Sequence, residues 1–168
     1  IGEESRRIIS CHPGGIFYDL AGHMLDQVIW ILGRPLKVQS FFRNDTGIVP
    51  QFKDNTLAVF EYEKAMAFVD IAAMETRPTA RRFEVYGTLG SVIMEPFEPA
   101  SSLRLCLEHD QNEYKRGEQR IPIKSQTRQE LYALELNALL STVNGVMMPD
   151  RSLDHEILVQ ETLIRAIK

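Results

Sequence analysis

From Lys37 to Glu108 the chain passes through six strand-like segments with no helical pattern between them. They are Lys37 to Arg43, Thr56 to Tyr62, Ala65 to Glu75, Phe83 to Tyr86, Ser91 to Glu95 and Leu103 to Glu108. The alternation is plain in the second, where Leu57, Val59 and Glu61 point one way and Ala58, Phe60 and Tyr62 the other. The turns at Glu63-Lys64 and across Gly87-Thr88-Leu89-Gly90 predict antiparallel hairpins. Asp110 to Gly117 reads as a polar loop. Ile121 to Ile123 adds an edge strand, because Pro122 has no N–H to give a central ladder.

Helical patterns bracket this block. Residues 1–13 are largely polar, and Gly14-Gly15 then marks a hinge or helix start. From Phe17 to Leu32, Phe17, Leu20, Met24, Val28 and Ile31 recur at helical spacing, with Leu25, Ile29 and Leu32 widening the face. Gly33 and Pro35 end that helix. Thr127 to Asn144 carries an apolar stripe of Tyr132, Leu136, Leu139, Leu140 and Val143. A last helix starts after Ser152, an N-cap residue, with Asp154 and Glu156 in its first turn, where the helix dipole favours anions. Helix, run of strands, helices is the α+β order. It predicts an open, predominantly antiparallel β-sheet with helices packed on one face. The longest strand is apolar on both sides, with Met66, Phe68, Ala72 and Met74 opposed to Ala67, Val69, Ile71 and Ala73. The uncovered face is therefore expected to be an interface.

With 168 residues, the chain is expected to form a single domain over 1–168. Its net charge of −4 argues against nucleic acid as a partner. Cys11 and Cys106 make no disulfide framework, and no membrane span or signal peptide is visible, so a cytoplasmic location is expected. The first residue is Ile1, and the chain is expected to be part of something longer.

Asp19, His23 and Asp26 interrupt the first long helix. Asp19 and His23 are one turn apart, with Cβ atoms about 5–6 Å from each other on one face. A carboxylate beside an imidazole suits proton transfer with a substrate hydroxyl. The same spacing fits a half-buried ion pair with no chemical role, or, with Asp26, a metal site. No second histidine cluster or cysteine pair supports a metal, so none is expected. His12, just before the glycine pair, is a further candidate for substrate contact. Asp154-His155-Glu156 reads as a solvated first turn. Arg81 and Arg82 are read as partners of Glu84 or as protection of a strand end, and Cys11 lacks a base to make it a nucleophile.

Gly14-Gly15-x3-Asp19-x3-His23-x2-Asp26, followed by Trp30-x2-Gly33-x-Pro35, resembles the signature of the Gfo/Idh/MocA oxidoreductases. The likeness continues through Asp54-Asn55-Thr56, Phe83-Glu84-Val85-Tyr86-Gly87-Thr88-x-Gly90 and the pattern around Ser152 and Gln160-Glu161. It implies the substrate-binding and oligomerising C-terminal domain of that family, with a fold like the C-terminal domain of glyceraldehyde-3-phosphate dehydrogenase. It implies a sugar, polyol or related substrate, His23 as the proton-transfer residue, and Asp19 orienting His23 or binding substrate. Asp26 is expected to be structural. The family's glycine-rich dinucleotide loop and its Glu-Lys-Pro lysine have no counterpart here. NAD or NADP is thus expected to serve the full-length protein without binding this chain, whose N-terminal dinucleotide-binding domain is absent and which alone is expected to be inactive. A homodimer or homotetramer through the open sheet face is expected. The rival reading is a non-catalytic dimerisation or ligand-binding module.

Overall fold

A computed structural model describes all 168 residues. The helices are α1 (Glu3–Ile9), α2 (Ile16–Leu32), α3 (Arg128–Val143) and α4 (Leu153–Ala166). The strands are β1 (Lys37–Arg43), β2 (Asn55–Glu61), β3 (Met66–Ala72), β4 (Phe83–Gly87), β5 (Gly90–Met94), β6 (Ser102–Leu107) and β7 (Gly117–Pro122). The class is α+β with antiparallel pairing throughout. The strands form two sheets, β1-β2-β3 and β4-β5-β6-β7, where one continuous sheet was expected. No ladder joins β3 to β4. The intervening residues 73–82 include Pro78, which lacks a ladder donor, and Arg81 at φ 33°. The chain accordingly divides into two compact units, residues 1–76 with 150–168, and residues 77–149.

In the first unit, α2 and α4 cover one face of the three-stranded sheet. The core joins Phe17, Ala21, Leu25 and Ile29 of α2 to Ala58 and Phe60 of β2, Val69 and Ile71 of β3, and Val159, Leu163 and Ala166 of α4. The inward and outward sets on β2 and β3 are those that alternation predicts. On α2 the buried stripe lies to one side of the expected one. Leu20, Met24 and Ile31 face solvent, and Ala21, Leu25 and Ile29 face the sheet.

α1 was not anticipated, because its sequence is mostly polar. Its Arg6 is buried and meets Asp54, which has no exposed surface. The guanidinium lies 3.6 Å from Asp54 Oδ2, donates to the carbonyl of Ala73 at 3.3 Å and stands over the Phe52 ring. Asp54 also accepts from the amides of Asp45 (2.8 Å) and Thr46 (3.2 Å) and from the Thr46 hydroxyl. Burial alone would raise this carboxyl's pKa. The Thr46 hydroxyl, the two amides and the Arg6 charge outweigh burial and hold it below the ordinary range.

The second unit is a four-stranded meander followed by α3. Cross-strand register puts Val85, Val92 and Leu105 on one face and Glu84, Ile93 and Arg104 on the other. Arg82 pairs with Glu95 at 3.0 Å as well as with Glu84 at 3.6 Å. α3 opens with a capping box between Thr127 and Glu130. None of its residues is buried, so the stripe of Leu136, Leu139, Leu140 and Val143 stays open to solvent.

Candidate functional site

The glycine pair sets the start of α2. Gly14 and Gly15 have φ of 87° and 54°, values that L side chains rarely adopt. Both are also packed where no side chain fits. A Cβ on Gly14 would come within 2.5 Å of Ile167, and one on Gly15 within 2.5 Å of the Lys53 carbonyl oxygen. The backbone approach is used: Ile16 N donates to Lys53 O at 2.9 Å. These close contacts seat the first turn of α2 on the loop that precedes β2, and Phe17, Ala21, Leu25 and Ile29 lock the rest of the helix.

On that fixed helix Asp19 and His23 are exposed, flanked by Leu20 and Met24. Neither acid nor imidazole makes a side-chain hydrogen bond or ion pair with any residue of the chain, including each other. The expected contact between them is therefore not formed, although both lie on one open face. His12 is exposed too. Its ring stacks on Tyr18 with centroids 4.7 Å apart, which brings it beside the first turn of α2. The arrangement offers a carboxylate, an imidazole and two apolar side chains on a rigid support, with all polar atoms free for a ligand.

Asp26 has a different setting. Its Oδ1 lies 2.7 Å from His155 Nε2 and 3.2 Å from Arg151 Nε, and the Arg151 guanidinium sits 4.1 Å from the centre of the Trp30 ring. Asp26 thus joins α2 to the start of α4. The reading of His155 as part of a solvated turn is corrected here, since its side chain is only 13% exposed and closes on Asp26. Nothing local in Asp154-His155-Glu156 signals a partner 129 residues away. Ligating atoms of Asp26, His155 and Glu156 lie within 4.8 Å of one another. The guanidinium on the same carboxylate oxygen opposes a cation there.

The chain presents no cradle for a dinucleotide pyrophosphate at its glycines. The α2 start is occupied by Lys53, with Phe17 N bonded to Gly14 O at 3.1 Å and Asp19 N to Gly15 O at 3.4 Å. The turn at Gly87 is a hairpin whose Gly90 lies against Cys106. Neither place leaves the free, convergent N–H groups that phosphate binding needs. No helix is long and apolar enough to cross a membrane.

No curated protein sequence matches the chain. Solved structures share its fold. A Klebsiella pneumoniae protein assigned to the oxidoreductases superposes with a TM-score of 0.69 at 17% identity, over 92% of this chain and 47% of that one. Aldose-aldose oxidoreductase from Caulobacter crescentus, complexed with glycerol, gives 0.66 at 19% identity over 92% and 45%. Biliverdin reductase from Synechocystis sp. PCC 6803, complexed with biliverdin and NADP+, gives 0.58 at 15% over 84% and 42%. The chain thus spans about half the length of the structures it resembles, 47% of the first. The family description "GFO/IDH/MocA C-terminal domain" matches residues 3–93. That match takes in α1, the glycine pair, all of α2, the strands through β4 and all but the last residue of β5. By this match, over more than half of its length, the chain belongs to the Gfo/Idh/MocA oxidoreductase family as a C-terminal domain.

Proposed function

We propose that residues 1–168 act as the substrate-binding and oligomerising domain of a cytoplasmic NAD(P)-dependent oxidoreductase. Its substrate would be a sugar, a polyol or a related hydroxylated compound. The observation that carries this reading is the pair of unpartnered groups, Asp19 and His23, on the open face of a helix otherwise locked into the core. A buried or self-satisfied histidine would need no ligand. This one has both ring nitrogens available. The aldose-aldose oxidoreductase among the structural neighbours supports a polyhydroxylated substrate, and the NADP+ held by the biliverdin reductase supports the cofactor class.

In this reading the nicotinamide, held outside this chain, supplies the hydride chemistry. The chain supplies grip and the proton. Asp19 accepts hydrogen bonds from substrate hydroxyls, a role that its separation from His23 favours over orienting the ring. His23 takes the hydroxyl proton as an alcohol becomes a carbonyl, and returns it in the reverse direction. His12, stacked on Tyr18, adds a donor or acceptor at the edge of the same face. In the natural gene product, His23→Ala is expected to lower kcat by about 10²–10⁴-fold in NAD(P)-linked oxidation of polyols. His12→Ala should act chiefly on KM. An unchanged kcat in His23→Ala would remove the proposal.

The outer face of the β1-β2-β3 sheet supports oligomerisation. Phe68 is 54% exposed and Met66 72%, and Val59 lies opposite Phe68 on the neighbouring strand. Exposed apolar side chains on this face suit a contact between proteins. Phe68→Asp is expected to shift the chain to a smaller species in sedimentation velocity with its circular dichroism unchanged. A species of unaltered mass would place the contact elsewhere.

A further inference from the structure

The line of side chains that carries Asp19 and His23 continues along α2. Asp19, His23, Asp26 and Trp30 stand at i, i+4, i+7 and i+11, so they fall within about 60° of arc on one face of the helix. Trp30 lies about 10 Å along the axis from His23, and it is 65% exposed. One face of its ring lies against the Arg151 guanidinium, which leaves the opposite face and the indole N–H open. Asp26 is aimed by its two partners. His155 Nε2 and Arg151 Nε both hold Oδ1, at 2.7 and 3.2 Å, and Oδ2 has no partner in the chain. An aromatic face beside an oriented carboxylate oxygen and an N–H donor suits a sugar ring, whose C–H face is apolar and whose rim is hydroxyl.

Gly22 is an independent observation at the same place. It sits in the middle of α2, one turn after Tyr18, which carries the His12 stack, and one turn before Asp26. Glycine there weakens the helix, yet nothing within the chain requires it. Its φ is not positive, and a Cβ would meet nothing within 4 Å. The missing side chain leaves a depression beside the line, between the His12–Tyr18 stack and Asp26. We propose that Trp30, Asp26 and the depression at Gly22 form a second sugar subsite, and that the substrate is a glycoside of at least two rings. One ring presents its reacting hydroxyl to His23 and Asp19. The next stacks on Trp30 and donates a hydroxyl to Asp26 Oδ2. A span of about 10 Å between His23 and Trp30 fits two linked rings and is too long for one. The place of the first ring rests on the proposed role of Asp19 and His23, whereas the stacking subsite is read by binding alone.

Trp30 is the only tryptophan among the 168 residues, so its emission reports on the subsite directly. The chain is titrated with maltose, cellobiose and lactose, and with glucose and inositol as single-ring comparisons. At least one disaccharide is expected to shift the emission to the blue and to bind about tenfold tighter than glucose, the gain from one aromatic stack. By calorimetry, Trp30→Phe should keep that preference and Trp30→Ala should lose it, with circular dichroism unchanged in both. Gly22→Leu separates binding from folding. Leucine favours the helix, so the urea midpoint should hold or rise while disaccharide affinity falls about tenfold. In the natural gene product, Trp30→Ala should raise KM for the preferred disaccharide by a similar factor and leave its kcat in place. Unchanged emission with every sugar, equal affinity for one ring and two, Trp30→Phe as weak as Trp30→Ala, or Gly22→Leu binding like wild type would each overturn the subsite. Disaccharide binding with the expected variant effects, but without NAD(P)-linked turnover in the natural gene product, would uphold the subsite and overturn the proton-transfer role of His23.

Discussion

Asp54→Asn is expected to destabilise the first unit by about 3–5 kcal/mol, the range for breaking a buried ion pair from one side. The carboxylate has no exposed surface and serves three hydrogen-bond donors besides Arg6. An asparagine amide can accept at one oxygen only, and it leaves the buried guanidinium without a counter-charge. Arg6→Met with Asp54→Asn should cost less than the sum of the single losses, because each single variant strands the other's polar group. Urea unfolding of the three variants measures this directly.

The same carboxylate gives the first unit an acid dependence with a defined sign. Its folded pKa lies below the ordinary range, whereas in the unfolded chain it is near about 3.9. The stabilisation is therefore complete above the unfolded value and is lost as pH falls through the folded one. In Asp54→Asn that component of the slope disappears, so the stability difference between wild type and variant shrinks on acidification. A difference that stayed constant below about pH 4 would show that the Asp54 carboxyl is not held below its unfolded value in the native protein.

The elements written in the sequence are those whose burial is set by near neighbours. β2 alternates because one face packs on helices and the other does not, so Ala58 and Phe60 are recognisable as core. On α2 the period is legible and the phase is not. Leu20, Met24 and Ile31 are as apolar as the residues that are buried, and periodicity cannot tell which apolar positions the chain itself covers. α1 escapes the pattern because its one buried residue is an arginine whose partner lies in the loop before β2, 48 positions along the chain. His155 escapes for the same reason, its partner Asp26 being far away in sequence.

The split into two sheets has no signature in strand alternation, since the pairing of β3 with β4 depends on the ten residues between them. In the glycine-acid-histidine block, spacing alone left open an ion pair, a metal site and proton transfer. The fold separates its members by environment. Gly14 and Gly15 are buried and hold backbone in place, Asp26 ties two helices together, and Asp19 and His23 are left facing solvent. The separation follows from which groups already have partners.

Gly15→Ala is expected to be the most damaging single methyl group that can be added to the chain near the site. The new Cβ would stand 2.5 Å from Lys53 O, 2.6 Å from Lys53 N and 2.9 Å from Lys53 Cα. All three are backbone atoms of a residue whose carbonyl also receives the Ile16 amide, so no rotamer change relieves the collision. The loop before β2 must move, and with it the seat of the first turn of α2. Gly33→Ala provides the comparison. Gly33 also has positive φ, at 73°, but a Cβ there meets nothing within 4 Å. That substitution pays only the backbone strain of a non-glycine residue, about 1–2 kcal/mol. Gly15→Ala adds the steric term and should lose about 3 kcal/mol or more, seen as a lower urea midpoint. Because Asp19 lies one turn after Gly15, the amide resonances of Asp19 and His23 should shift in Gly15→Ala and hold their positions in Gly33→Ala. Equal losses from the two substitutions would mean that the glycine pair serves only backbone conformation, and that its close packing on Lys53 does not position the helix bearing Asp19 and His23.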